Sequence, residues 1–267
     1  MSQQIIDQLL TIINNNTWPT AHRDNSKIRR YYEHGLDIVR CGSGTVQNNL
    51  VTALEIFHAT QSAPYACAGI AATLAEAGMV YEKGAETKEP ALHWLEKAQD
   101  WEPDKININL TEGLIYAYAD DFENSRLILD YLHSKTTDNY HLALGEIRHW
   151  WKSGDDQQYE DWIRKSYKLA DNDLKTLHAL RLLAQLYNKY NQPAEALKYY
   201  KKCLEISPKN PELWHNMSCI LFDAEQYKEA AKYNQKTLEL ADFYKARYMK
   251  EQIEKKTKFS LKGLFQR

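Results

Sequence analysis

Glycine and proline are scarce in this chain of 267 residues, ten and seven respectively. Turn-rich β architectures draw heavily on both, so their scarcity points toward stacked helices. Cysteine is scarce too. Cys41, Cys67, Cys203 and Cys219 form no CxxC pair and stand at no zinc-finger spacing from histidine. A disulfide framework is not expected at that density, and the thiols are expected reduced and mostly buried, in a cytoplasmic protein. An excess of one charge is missing: 34 basic residues face 36 acidic ones. No global field draws such a chain to nucleic acid, and no nucleic-acid partner is expected. No stretch approaches the roughly 18–20 apolar residues that cross a bilayer. The start, MSQQIIDQLLTIINNN, has neither the basic lead nor the apolar run of a secretory signal. P-loop, GxGxxG, HExxH, GxSxG and EF-hand patterns are all missing, so the expectation is a non-enzyme with no cofactor and no metal.

What is present is a folded composition, 43% hydrophobic and 26% charged, rich in Tyr (18) and Trp (7). It also repeats. In PELWHNMSCILFDAEQYKEAAKYNQKTLELAD (211–242), Trp214, Met217, Ser218, Leu221 and Ala230 stand 34 residues after Leu180, Leu183, Ala184, Tyr187 and Ala196. Small residues at 184, 196, 218 and 230 let two antiparallel helices approach. Large ones at 180, 187 and 214 fill the space between successive hairpins. Asn191–Gln192–Pro193 turns the chain, and Pro193 suits a helix start because its missing N–H has no helical partner there.

This tandem resembles the tetratricopeptide repeat (TPR). The resemblance implies an all-α fold, an α-solenoid of about six antiparallel helical hairpins in a right-handed superhelix with capping helices at both ends. Fainter copies precede it. Gly113, Tyr116, Asp121–Phe122 and Ser125 mark one hairpin, and Ala91, Leu95, Ala98 and Pro103 mark the second helix of another. The loop EKGAETKE ahead of that helix resembles the enlarged turn of Sel-one-like repeats. An earlier pair is read across Cys41–Gly42–Ser43–Gly44. In 140–171 a turn at Gly154–Asp155 leaves Glu146 in a core place. The chain is therefore read as a capping helix and loop (1–25), degenerate hairpins (26–170), two clear hairpins (171–242), a capping helix (243–257) and a basic amphipathic tail (258–267).

The resemblance also implies a function: a non-catalytic scaffold that holds a protein or peptide along the first helices of its hairpins. The residues expected on that face are His178, Arg181, Gln185, Asn188 and Lys189, then Glu212, His215, Asn216, Cys219 and Phe222. Arg181, Gln185, Asn216 and Lys250 resemble the carboxylate clamp by which some TPRs grip a peptide C-terminus, through charge-assisted hydrogen bonds. Gln185 stands where the clamp has Asn, and Ala246 where it has a second Lys. Farther up, Arg148, Trp151 and Lys152 form a candidate aromatic–basic patch, or else pack between hairpins.

Other readings stay open. From Lys245 to Arg267 eight basic residues face two acidic ones, interleaved with Phe259, Leu261, Leu264 and Phe265. That end is either a solvated basic terminus or a short anchor for an acidic partner or anionic membrane surface. His149 with Asp155 or Asp156 is the one conceivable acid–base pair, against a packing role for the histidine. Asp120–Asp121 and Asp155–Asp156 read as turn acids rather than cation ligands.

Overall fold

The computed structural model describes residues 2–42, 46–101, 106–136, 139–242 and 244–264. Among them lie fourteen helices and no strand. In chain order they are α1 (Ser2–Asn15), α2 (Ser26–Cys41), α3 (Val46–Ala59), α4 (Ala63–Val80), α5 (Gly84–Gln99), α6 (Ile106–Tyr118) and α7 (Phe122–Lys135). Then follow α8 (Tyr140–Ser153), α9 (Asp156–Leu169), α10 (Asp173–Lys189), α11 (Pro193–Ile206), α12 (Pro211–Asp223), α13 (Tyr227–Leu240) and α14 (Tyr244–Leu264).

From α2 onward consecutive helices pair: α2 with α3, α4 with α5, α6 with α7, α8 with α9, and α12 with α13. In α10 and α11 the rings of Tyr187 and Tyr199 stack with centroids 5.3 Å apart. The chain divides into two compact units, Met1–His178 and Ala179–Arg267, with the boundary inside α10.

Local chemistry sets the ends of these helices. Asn25, Asp121, Asn139, Asp155 and Asn210 each cap a following helix through the side-chain oxygen, which satisfies amides that have no intrahelical partner. Pro193 and Pro211 open α11 and α12. The first helices α4, α6, α8, α10 and α12 end alike. Glu82, Asp120, Asn191 and Glu225 adopt left-handed backbone, with φ of 56°, 60°, 55° and 59°, and Gly154 does so at 86°. After each of the four non-glycine residues the next amide reaches five residues back, as in Lys83 N–H to Gly78 O (2.7 Å) and Gln226 N–H to Leu221 O (2.8 Å). This closure satisfies carbonyls left open at a helix end.

The small residues of the repeat, Ala184, Ala196, Ser218 and Ala230, are all buried, and the Ser218 hydroxyl donates to the Ala230 carbonyl at 2.9 Å. In the N-terminal unit Phe57 is held between two glycines: a Cβ on Gly35 or Gly69 would stand 2.4 Å or 2.1 Å from its ring. Ile6, Leu9 and Ile13 of α1 are buried, and α1 lies against α4.

Three expectations are corrected. The enlarged Sel-one-like turn is not formed. Only residues 81–83 separate α4 from α5, and GAETKEPA is helical, with Pro90 inside the helix. Polar composition there signals an exposed first turn rather than a loop. Second, α4 is long and apolar enough to span a membrane by length and composition. Its alanines produce that hydropathy, and nearly all of the helix is buried among α1, α2, α3, α5 and α6. Third, α14 runs on past residue 257 to Leu264. The side chains of 258–264 lie outside the described residues, as do Ser43, Gly44, Pro103 and Phe265, so the amphipathic reading of the tail falls outside them too.

Candidate functional site

In the N-terminal unit the first helices of the hairpins, α2, α4, α6 and α8, lie side by side. Their inner faces are taken up by one another. Asp37 of α2 has Oδ1 3.1 Å from His141 Nε2 and 3.8 Å from Lys175 Nζ, and its Oδ2 accepts from Asn172 at 3.0 Å. Burial pushes the Asp37 carboxyl up, but the hydrogen bond and charge of His141, with Lys175 and Asn172, outweigh it and hold it below its usual value. Burial drives the His141 ring down, and Arg40 adds to the effect.

Arg148 belongs to the same interior. It lies 3.3 Å from Glu76, 3.2 Å from the Met79 sulfur and 3.4 Å from the Arg40 carbonyl, over the Tyr118 ring. The Tyr118 hydroxyl donates to Glu76 at 2.9 Å. The expected Arg148–Trp151 patch is therefore not formed. Trp151 stands 50% exposed at the hairpin-turn end of α8, where Lys152 pairs with Asp120 at 2.9 Å. Helical spacing assigns a face but not a depth: Trp151 lines an open cavity with Met79 and Tyr118, the residues that Arg148 meets from inside.

The conceivable acid–base pair is also absent. His149 is buried, its Nδ1 lies 3.1 Å from Ser125 Oγ, and its ring meets Phe122 and Trp150 edge-on. Asp155 caps α9 and accepts from Gln158 N–H at 3.0 Å. Burial, then the charge of Arg126, lowers the His149 ring below its usual value. Asp121 caps α7 and pairs with Lys88. Among the described residues no three His, Cys, Asp or Glu side chains converge to hold a metal ion.

Glu146 does occupy a core place, at 1% exposure. It accepts from Arg126 twice, at 2.9 and 2.7 Å, from Trp150 Nε1 at 2.8 Å, and contacts His133 Nε2 at 2.7 Å. Burial pushes its carboxyl up, yet the Arg126 hydrogen bond and charge prevail and lower it. Sequence reasoning placed Glu146 but missed its partners. The available signal was the pair of basic residues, Arg126 and His133, seven apart on one face of the preceding helix.

The C-terminal unit is organised differently. On α10, Gln185 and Asn188 are exposed and Arg181 is half-buried; Asn216 on α12 is half-buried and Lys250 on α14 exposed. Arg181 and Asn216 both act on Tyr200. Burial pushes that phenol up to about 12, opposed by the Arg181 charge and a hydrogen bond with Asn216. Glu212 is raised by burial and pulled back by Arg181 and Lys245. Ala246, where a clamp has its second cation, is buried and its carbonyl accepts from Asn234 at 3.0 Å. Phe222 is half-buried and packs against Tyr227 at the edge of the core. Cys219 Sγ lies 3.5 Å from His215 Nε2. Sequence reasoning missed Lys245 and Tyr200, because the first falls outside the clamp register and the second sits on a second helix.

A tetratricopeptide-repeat family model matches residues 177–218. Compared by sequence with curated proteins, the chain has no match. Solved structures share its fold at low identity. PilF of Pseudomonas aeruginosa is 13% identical, with a TM-score of 0.51 over 74% of this chain and 93% of that one. A thermophilic TPR protein of Thermus thermophilus is 18% identical, with a TM-score of 0.53 over 73% and 99%. The Cut9–Hcn1 hetero-tetramer of the APC/C is 11% identical, with a TM-score of 0.56 over 85% of this chain and 46% of that one.

Proposed function

We propose that this chain, which is a tetratricopeptide-repeat protein, is an interaction scaffold that holds a peptide or protein segment along the α10–α12–α14 face of its C-terminal unit and leaves it chemically unchanged. Tetratricopeptide repeats mediate binding to proteins and peptides. The contrast between the two units carries the reading. Inner-face charges of the N-terminal unit, Asp37, Glu76 and Arg148, are spent on internal partners. On the C-terminal unit Gln185, Asn188 and Lys250 are exposed, beside half-buried Arg181 and Asn216. Arg181 and Lys245 act on Glu212 there, and with exposed Lys250 they suit a segment that brings its own carboxylates.

Peptides selected from a random display library on the full chain test this. The Arg181→Ala/Lys250→Ala double variant is expected to bind the selected peptides about tenfold or more weakly, the loss of one or two charge-assisted contacts. Equal binding by the double variant and the wild type would overturn the assignment of the face.

A further inference from the structure

Residues of α7, α8 and α9 line an open cleft of about 470 Å³, wholly within the N-terminal unit. A volume of that size takes a small molecule. Four of the lining side chains are flat: Arg126 and His133 from α7, Trp150 from α8 and Trp162 from α9. The Arg126 guanidinium stands over the Trp150 ring at 5.7 Å, and the His133 ring lies 5.4 Å from that of Trp162, tilted by 33°. Both indoles are half-buried and border the cleft.

The charges of the cleft are unequally matched. Both carboxylates on its wall belong to Arg126. Glu146 accepts from its Nη1 and Nη2, and Asp130 lies 2.9 Å from Nη2. Glu146 also accepts from Trp150 Nε1 and contacts His133 Nε2, so its lone pairs are taken. The third cation, half-buried Lys165, pairs with no carboxylate among the described residues. Its Nζ lies 4.4 Å from the centre of the Trp162 ring, a contact that draws the ammonium to the indole but gives its N–H groups no acceptor. The Trp162 indole N–H and the Gln158 side-chain amide have no hydrogen-bond partner among the described residues either. Gln158, Trp162 and Lys165 follow one another at intervals of four and three, so they share one face of α9, and all three line the cleft.

We propose that this cleft is a binding site for a small aromatic carboxylate, its ring against the flat side chains and its carboxylate on Lys165. One unmatched ammonium answers one negative charge, whereas Glu146 and Asp130 on the same wall repel a dianion. Lys165 supplies a charge-assisted hydrogen bond, and Trp162 Nε1–H and the Gln158 amide are further donors on the same face. A flat ring lies against indole and guanidinium planes, and a puckered ring of equal size does not.

Sodium benzoate is the probe, titrated into the full chain at constant ionic strength and followed through the tryptophan indole N–H signals in proton–nitrogen NMR. The Trp162 signal is identified by its loss in Trp162→Phe. Sodium acetate is the control for a carboxylate without a ring, and sodium cyclohexanecarboxylate for a ring that is not flat. Benzoate is expected to shift the Trp162 signal saturably and to bind about threefold or more tightly than either control. Lys165→Gln is expected to weaken benzoate about fivefold or more, and Lys165→Arg, which keeps the charge, to restore most of the affinity. Should Lys165→Gln fail to fold, the three acids compared on the wild type decide alone. A Trp162 signal that benzoate leaves unmoved, parity of benzoate with acetate or with cyclohexanecarboxylate, or undiminished binding by Lys165→Gln would overturn the proposal.

Discussion

Glu146 shows what a buried acid needs in this molecule. At 1% exposure it has two Arg126 contacts, the Trp150 indole and His133 around it, a set that matches its charge and fills its lone pairs. Removing one member of such a group leaves a buried charge without compensation, and the cost is about 3–5 kcal/mol. The pH dependence follows from the directions of the shifts. His141 and His149 are held neutral, below the ordinary histidine value of about 6.5. Their contribution is complete above that value and declines as pH falls, because the unfolded chain takes up protons first. Glu146 and Asp37 are lowered, so their contribution is complete above the ordinary carboxylate value of about 4 and is lost as pH falls through the folded-state values. Melting temperatures are therefore expected to fall in two stages on acidification. Glu146→Gln is expected to lower the melting temperature at neutral pH and to flatten the lower stage. A pH profile in Glu146→Gln with the lower stage unaltered would show that this acid is not what titrates there. Sequence placed Glu146 in the core but left it unexplained, because its partners lie on the preceding helix and on its own next turn. Arg148 was placed on a binding face for a related reason: a long cation reads the same whether it meets solvent or, as here, Glu76 and Tyr118.

At the scale of the element the repeat is plainer in backbone than in sequence. Glu82, Asp120, Asn191 and Glu225 occupy one geometric position, the left-handed residue after the first helix of a hairpin, though the segments around 82 and 120 match the repeat only thinly. The 34-residue correspondence of 180–196 with 214–230 was legible because side-chain size alone carries it. The α4–α5 turn was not, since GAETKE is as compatible with an exposed helical first turn as with a loop. A non-glycine residue in left-handed backbone costs about 1–2 kcal/mol, partly offset by the greater entropy glycine loses on folding. Glu225 is exposed, and backbone hydrogen bonds close its turn. Glu225→Gly is expected to stabilise the protein by about 0.5–1 kcal/mol, measured by urea denaturation. A destabilised variant would mean that the Glu225 side chain contributes more than its backbone costs.

For the whole molecule, the two units share one construction and spend it differently. Met1–His178 turns its first-helix charges onto its own helices, while Ala179–Arg267 leaves amides and cations on that face. The array of hairpins was legible from composition and repeat, but the division of labour was not, because it depends on which long side chains find partners more than a hundred residues away, as Asp37 finds Asn172. The central claim is that a partner segment lies on the C-terminal face. Its most direct test is amide hydrogen exchange of the full chain, alone and saturated with a peptide selected from the display library. Slowed exchange concentrated in α10 beyond residue 178, α12 and α14, with the N-terminal unit unaffected, is the predicted result. Protection confined to α2–α9, or to the second helices α11 and α13, would contradict the claim.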